Sequence, residues 1–527
     1  MPIPAECTVL VVGGGPGGSY AASLLAREGL NTVLLESDEF PRFHVGESML
    51  PSIRHFFRYI DLDTKFKEHG FTKKVDIFVV LVLAFSSRDE MRRLTCKDTD
   101  FIGAGGPENY TWNFLRSESD DLMLNHAVKC GAKVFTPVRV TSLQFAPIGA
   151  TDNSTQSVLD NTSHSLGRPV SATWASEEDC GAIRYKYLID ATGRAGIVST
   201  KYMRNRKMNT ALKDAATWGY WEKCGVFGES THMENDPYFE AINGSLISIL
   251  VKAKLTNTDG SGWIWAIPLK DMMSIGVVMK QEIVVAKKRE RGLSPSQIYI
   301  DSIENTPGIR DLLQRAELVS DLHSTADWSY NATTYASPYL RIVGDAGCFI
   351  DPLFSSGVHM ALVGALSAAV TICAAERGNC DQAVAADWHS KKIAESYARF
   401  LLIVASTRKQ ISSREESVLN DPAEGSFDRA FHIFQPVIQG TVDVEDEKHN
   451  QEEIARIFEF CAGETFGSQN SIEKLAKEVG LPPETVERYR AILIENNGAD
   501  KNDFENEALD GLRPNMKPGA LGLIHAC

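Results

Sequence analysis

The hydrophobic positions of the first 36 residues fall into three blocks: a β-rich apolar run from Cys7 to Val12, helical spacing from Gly17 to Glu28, and a second β-rich run from Thr32 to Glu36. Strand periodicity giving way to helical periodicity and back predicts a βαβ start, the opening of a nucleotide-binding lobe. From about Ala146 to Gly181 the chain is rich in Ser, Thr, Asp, Asn and Gly without sustained periodicity, which predicts a surface insertion, and Tyr187 to Asp190 returns as a buried strand. Many short β-like runs between Ala216 and Val278 predict a mostly antiparallel sheet forming a separate, substrate-facing lobe. Helical patterns dominate from Ala361 onward, in ALVGALSAAVTICAAE, EEIARIFEF and SIEKLAKEV, without an internal repeat. The longest apolar run, Ile77 to Phe85, has nine residues. A bilayer span needs roughly 20, so no transmembrane segment is expected.

With 527 residues the chain exceeds what one core usually serves, so two or three lobes around a shared ligand are expected. The 43% hydrophobic and 23% charged composition is that of an ordinary soluble globular protein. Charge narrows the partners: Lys+Arg of 54 against Asp+Glu of 69 gives −15, the wrong sign for neutralising phosphates, so nucleic acid is not expected. The opening MPIPAECTVLVV has no basic stretch before its apolar run, and reads as a core strand rather than a signal. Ten cysteines without a C-x-x-C pair predict free thiols in the reducing cytoplasm. No metal site is expected.

Chemistry enters with GGGPGG, where Gly13, Gly15 and Gly18 form G-x-G-x-x-G between a strand and a helix, with Gly14 and Gly17 between them. Backbone N–H groups and the helix dipole at such a turn hold a pyrophosphate. Glu36 ends the second strand 23 residues after Gly13, where a carboxylate accepts from ribose hydroxyls. Trp263 and Trp265 lie in GWIWAIPL with Ile267 and Pro268, and in a strand the two indoles share one face. That spacing also suits an ordinary pair of core aromatics. In DPLFSSGVHMAL, Ser356 and Gly357 precede a helix whose amides would suit an anion, or simply cap it.

Further segments carry a family resemblance. YLIDATGRAG (Tyr187 to Gly196) and RIVGDAG (Arg341 to Gly347) resemble the second and third FAD motifs of flavoprotein monooxygenases and halogenases. Trp263-x-Trp265-x-Ile267-Pro268 resembles the W-x-W-x-I-P marker of flavin-dependent halogenases, and the chain is identified as a member of that family, most similar to fungal enzymes acting on phenolic polyketides.

The implied fold is α/β, an FAD-binding Rossmann-like fold with a mixed-sheet substrate lobe and a helical C-terminal region. The expected division is a discontinuous FAD lobe at 1–75, 110–200 and 330–375, a β-rich lobe at 76–109 and 201–329, and a helical region at 376–527. Asp345 would meet the ribityl chain, Arg116 the cofactor, and Val358 the flavin edge. In FPRFHVGESML, Glu47 would lie near chloride and the flavin edge. Ser356 and Gly357 would bind halide, and Lys74 of GFTKKV would receive hypochlorous acid. An amine there can donate a hydrogen bond or, with lowered pKa, accept chlorine, whereas a guanidinium does only the first.

The implied reaction is chlorination of an electron-rich phenolic ring with reduced FAD, O2 and chloride, in secondary metabolism, with a separate flavin reductase as partner. The likeness is weakest over Asp76 to Asp98, where DIFVVLVLAFSSRDEMRRLTCKD reads as an altered exon boundary. Two rivals stand beside this reading. An aromatic hydroxylase of the same fold would reduce its own flavin with NADPH, but Asp190-Ala191-Thr192-Gly193 lacks that class's Asp-Gly pair. The other is a non-catalytic relic carrying the altered segment after Lys74.

Overall fold

The computed structural model describes residues 2–76, 78–81, 95–98, 101–147, 166–231, 233–242, 261–412, 439 and 508–526. Strand β1 (Glu6–Val12), helix α1 (Pro16–Arg27) and β2 (Thr32–Leu35) form the expected opening. Helices α2 (Ile53–Tyr59) and α3 (Asp63–His69) lead to β3 (Thr72–Lys74), β4 (Phe78–Leu81), β5 (Thr95–Asp98), α4 (Phe101–Gly105), β6 (Thr111–Asn113) and α5 (Arg116–Lys129). Next come β7 (Lys133–Phe135), β8 (Arg139–Ala146), β9 (Arg168–Ala175), β10 (Cys180–Asp190), β11 (Arg206–Glu222), β12 (Tyr238–Ala241), β13 (Gly262–Pro268) and β14 (Met273–Lys280). Helices α6 (Gln281–Arg291), α7 (Pro295–Glu304) and α8 (Pro307–Leu312) precede β15 (Glu317–Leu318), β16 (His323–Ala332), β17 (Ala336–Ser337) and β18 (Leu340–Ile342). The chain closes with α9 (Gly357–Arg377), α10 (Gln382–Ser412), β19 (Leu512–Asn515) and β20 (Gly522–His525).

One sheet runs β17-β18-β10-β1-β2-β7, with β9 on β10 and β8 on β9. Its central pairs, β18 with β10, β10 with β1, β1 with β2 and β2 with β7, are parallel. Parallel strands are covered on both faces, and alternate residues of β1 feed two cores. Val9 and Val11 pack among residues of α1, α5 and α9, whereas Leu10 and Val12 meet Val140, Leu143, Ala172 and Trp174. Those last two lie on β9, inside the stretch read as a surface insertion. That reading is corrected: part of the stretch is a strand covering the sheet's second face, and 148–165 lies outside the described residues.

The second sheet runs β15-β11-β14-β13-β12-β4-β5, with β16 on β11, and is antiparallel apart from β12 with β4. Alternation along β13 sends Trp263, Trp265 and Ile267 to one side and Ile264 and Ala266 to the other, against α7 and α8. The apolar run after Asp76 thus begins as β4 of this sheet, and 82–94 lies outside the described residues. A separate two-stranded ribbon pairs β3 with β6.

The region 376–527, expected to be helical, holds α10 but ends in the hairpin β19–β20. Its Leu512, Leu521 and Leu523 are buried in the core of α1 and α9, a tertiary gain that helical periodicity does not register. The segments EEIARIFEF and SIEKLAKEV lie outside the described residues, as does RAFHIFQPVIQG apart from Gln439. Among the described residues, α9 is the helix long and apolar enough to cross a membrane, but 83% of its apolar window is buried within the fold, as in a core helix.

Gly276 lies directly opposite Trp265, and a Cβ on it would stand 2.0 Å from Cζ2 of that indole. Gly276→Ala should therefore destabilise the protein by about 1–3 kcal/mol, the usual range for overpacking. Urea denaturation measures this, and an unchanged midpoint would show that Trp265 has room to move.

Candidate active site

At the turn from β1 into α1, Gly13 has φ +105°, and a Cβ on it would stand 2.2 Å from the Ala191 carbonyl oxygen. Only glycine lets the loop pass there and present its amides ahead of the helix. Gly13, Gly15 and Gly17 line a cavity of about 680 Å³, within the roughly 300–1,000 Å³ usual for cofactor sites. Gly14 and Gly18 are not on its wall. The Gly14 amide donates to Oε2 of Glu36, and Gly18 packs on the backbone of Gly13.

Glu36 lines the cavity while its Oε1 accepts from the Asp38 amide at 2.8 Å and the Ser37 hydroxyl at 3.2 Å. A carboxylate has about four acceptor positions, so capacity for a ribose hydroxyl remains. Asp345, in the turn after β18, lines the cavity too, and burial lifts its carboxyl to about 6 against the pull of Arg194, Arg116 and Arg206.

Trp263, Trp265 and Ile267 form an apolar stretch of the same wall. The indole centroids are 5.9 Å apart, and Trp265 Nε1 donates to Ser274 Oγ at 3.1 Å. Pro268 ends β13 and does not line the cavity. At the head of α9, Gly357 and Val358 line the cavity, whereas Ser356 is buried behind it. The first bond back along α9 is Met360 N to Ser356 O at 2.9 Å, so the Gly357, Val358 and His359 amides head a 21-residue helix dipole.

Arg116 opens α5 and lines the cavity, but its guanidinium is committed to the protein. It meets Asp120 through Nε at 2.8 Å and Nη2 at 3.0 Å, and Nη1 donates to the carbonyls of Val45 at 2.8 Å and Gly46 at 3.1 Å. The next residue, Glu47, accepts from the Tyr220 hydroxyl at 2.6 Å. Burial pushes its carboxyl from 4.5 up to about 7, against hydrogen bonds from Tyr220 and Ser274 and the charge of Arg116.

Lys74 sits one layer behind the wall. Its Nζ is fully buried and donates to Ser48 Oγ at 2.9 Å and the Met49 carbonyl at 2.6 Å, and Ser48 itself lines the cavity. Burial lowers the amine from 10.5 to about 7, opposed by the charges of Asp236 and Asp76. Lys73 is exposed on the other side of the ribbon, its Nζ 4.1 Å from the Tyr110 ring centroid.

A profile of the tryptophan halogenase family matches residues 8–80 and 173–419. The flavin-dependent halogenase ascD of Acremonium egyptiacum is 44% identical over 99% of this chain and 93% of its own length. The sulochrin halogenase of Aspergillus terreus is 42% identical over 100% of this chain and 94% of its own. The chain belongs to the flavin-dependent halogenases. Among solved structures, the myxobacterial chondrochloren halogenase superposes with a TM-score of 0.65 at 21% identity, covering 93% of this chain and 97% of that one. A halogenase crystallised with phloroglucinol and FAD gives 0.61 at 16% identity, covering 93% and 96%. These two likenesses bear on the fold.

Enzymes of this family use FAD, and the residues of this halogenase fit it. The glycine turn would cradle a pyrophosphate, and Glu36 and Asp345 would offer carboxyls to hydroxyl-bearing parts of the cofactor. Several lining or supporting residues escaped the sequence reading. Arg42 lines the cavity and pairs with Asp120 at 3.1 Å, and Arg194, also on the wall, lies over the Phe349 ring at 4.7 Å. Oδ1 of Asp236 accepts from the amides of Val75 at 2.9 Å and Asp76 at 3.0 Å, fixing the chain just after Lys74. Arg42 stands in the quoted segment FPRFHVGESML, but Asp236 lies about 160 residues from its partners, with no local pattern to reveal it.

Between about pH 4.5 and 7 the folded halogenase keeps a Glu47 proton that the unfolded chain has released, so stability falls as pH rises through that window. In the FAD-free protein, Glu47→Gln should make the fall shallower by on the order of 3 kcal/mol. Denaturation across that range measures it, and a slope equal to wild type would place the proton elsewhere.

Proposed function

We propose that this halogenase chlorinates an electron-rich phenolic ring of polyketide type, using halide-derived hypohalous acid that passes from the FAD cavity to Lys74. One observation carries the reading: a fully buried amine near neutral pKa touches Ser48, which forms part of the cavity wall. The relative that acts on sulochrin and the neighbour holding phloroglucinol, a trihydric phenol, support the substrate class.

Reduced FAD and O2 supply the two-electron oxidation of halide, and a separate flavin reductase supplies the reduced cofactor. The amides of Gly357 and Val358 hold the anion at the helix head, with Ser356 fixing the turn. Trp263, Trp265 and Ile267 fill the space beside the flavin, so an organic ring does not enter there. Lys74 receives the small oxidant instead. As an ammonium it has a third N–H for the oxygen of the acid, and as an amine it has a lone pair for halogen. Its pKa of about 7 keeps both forms present at neutral pH.

Lys74→Ala should keep FAD binding and halide oxidation while product falls steeply, because positioning is worth several kcal/mol. Lys73→Ala should behave as wild type. Product is followed by mass spectrometry with FAD, reductase, NADH, chloride and a set of phenols, looking for the chlorine isotope doublet. Normal rate and regiochemistry in Lys74→Ala would remove the lysine from the reaction. A Cβ at Gly357 meets nothing within 4 Å, so Gly357→Val should fold normally yet project into the halide position. Chloride- and bromide-dependent product should both be lost in that variant, and full activity would remove this helix head as the anion site.

A further inference from the structure

The ribbon that carries Lys74 holds polar groups that the reading so far leaves unused. Its register pairs Thr72 with Asn113, Lys73 with Trp112 and Lys74 with Thr111, and an isolated bridge joins Asn113 to Ser48. Directly paired residues project to the same side of a sheet, so Thr72, Lys74, Thr111, Asn113 and Ser48 share one face. Lys73 and Trp112 share the other. The Lys74 contact with Ser48 at 2.9 Å agrees with this parity.

On the inner face Thr111 is 0% exposed and Asn113 is 1% exposed. Thr111 Oγ1 and both polar atoms of the Asn113 amide have no hydrogen-bond partner among the described residues. A fold gains nothing from such groups: an apolar residue of the same shape would serve it better. Three orphaned polar atoms beside a buried amine therefore call for a polar occupant. The Phe101 ring centroid lies 5.4 Å from Lys74 Nζ, so the amine also has an apolar neighbour.

We infer that Thr111 and Asn113, with Lys74 and Ser48, form the seat in which hypohalous acid is held before it meets the aromatic ring. The inference rests on the reading of the enzyme proposed above and adds two ligands for its oxidant. An aromatic ring is too large for groups buried this fully, whereas a three-atom acid with one donor and one acceptor oxygen matches them. The Asn113 carbonyl accepts the acid's O–H. The Thr111 hydroxyl and the Lys74 ammonium donate to the two lone pairs of the oxygen, which leaves halogen as the outward end.

Transfer then balances as ring-H plus HOX giving ring-X plus water. A π pair of the ring forms the C–X bond while the O–X bond breaks with its pair on oxygen. That oxygen takes a proton from the Lys74 ammonium and leaves as water. The proton lost by the ring carbon restores the ammonium.

The test uses the full-length FAD-loaded enzyme with reductase, NADH, bromide or chloride, and phloroglucinol among a panel of phenols. Halogenated phenol is measured together with the oxidant that escapes, which is trapped as the haloamine of added taurine. Thr111→Val and Asn113→Leu should melt no lower than wild type and should oxidise halide at the same total rate. Their ratio of halogenated phenol to escaped oxidant should fall at least about tenfold, and Thr111→Ser should restore it. A wild-type ratio in both apolar variants overturns the seat, as does a lower melting temperature with that ratio unmoved, the mark of groups serving only the fold. A wild-type enzyme that yields neither halogenated phenol nor escaped oxidant would instead overturn the functional reading beneath it.

Discussion

The buried pair of Arg116 and Asp120 is the contact on which the rest of the site hangs. Both side chains are nearly inaccessible, at 6% and 1%, and they meet in a two-point geometry one helical turn apart. A buried ion pair repays its desolvation only when the remaining donors are satisfied. Here the carbonyls of Val45 and Gly46 take the third guanidinium nitrogen. That commitment draws the segment after Phe43 against the start of α5, and the following residues are placed in turn. The Glu47 carbonyl accepts from Phe114 N at 2.7 Å, and Ser48 bridges to Asn113 and reaches Lys74. The arginine therefore acts on the lysine through the backbone from Val45 to Ser48, without touching it.

Burial alone then brings two carboxyls and one amine toward neutrality around one cavity. It raises Glu47 to about 7 and Asp345 to about 6, and it lowers Lys74 to about 7. The directions are opposite because each group is pushed toward its uncharged form. Nearby charges resist in every case: arginines oppose the rise of the two acids, and Asp236 and Asp76 oppose the fall of the amine. Groups shifted in this way are suited to proton exchange near neutral pH.

What was legible in the sequence was whatever depends on neighbours along the chain. The glycine turn, Glu36 at the end of β2 and the alternation of Trp263, Trp265 and Ile267 all follow from spacing within one element. Burial of Gly14 and Gly18 behind the wall was not legible, because it depends on the return of Ala191 and Glu36 to the same turn. Strand β9 escaped for a similar reason: what stabilises it is pairing with β8 and β10 and the covering of the sheet's second face. The hairpin β19–β20 is a tail in sequence and a lid on α9 and α10 in space, with Trp388 Nε1 donating to the Leu512 carbonyl at 3.2 Å.

The two adjacent lysines show how much rests on strand parity. Lys73 and Lys74 have the same chemistry, and only the side of the ribbon on which each falls separates a solvated cation from a buried amine. A slip of one residue would exchange them, since side chains alternate with a period of two. Two-stranded ribbons resist such slips poorly on their own. This one is held at both ends. The bridge of Ser48 with Asn113 fixes β6 from one edge, and the Asp236 carboxylate takes the consecutive amides of Val75 and Asp76 just beyond Lys74. Two consecutive amides meet one carboxylate oxygen in a single register, so Asp236 and the Ser48–Asn113 bridge together hold the parity that turns Lys74 inward.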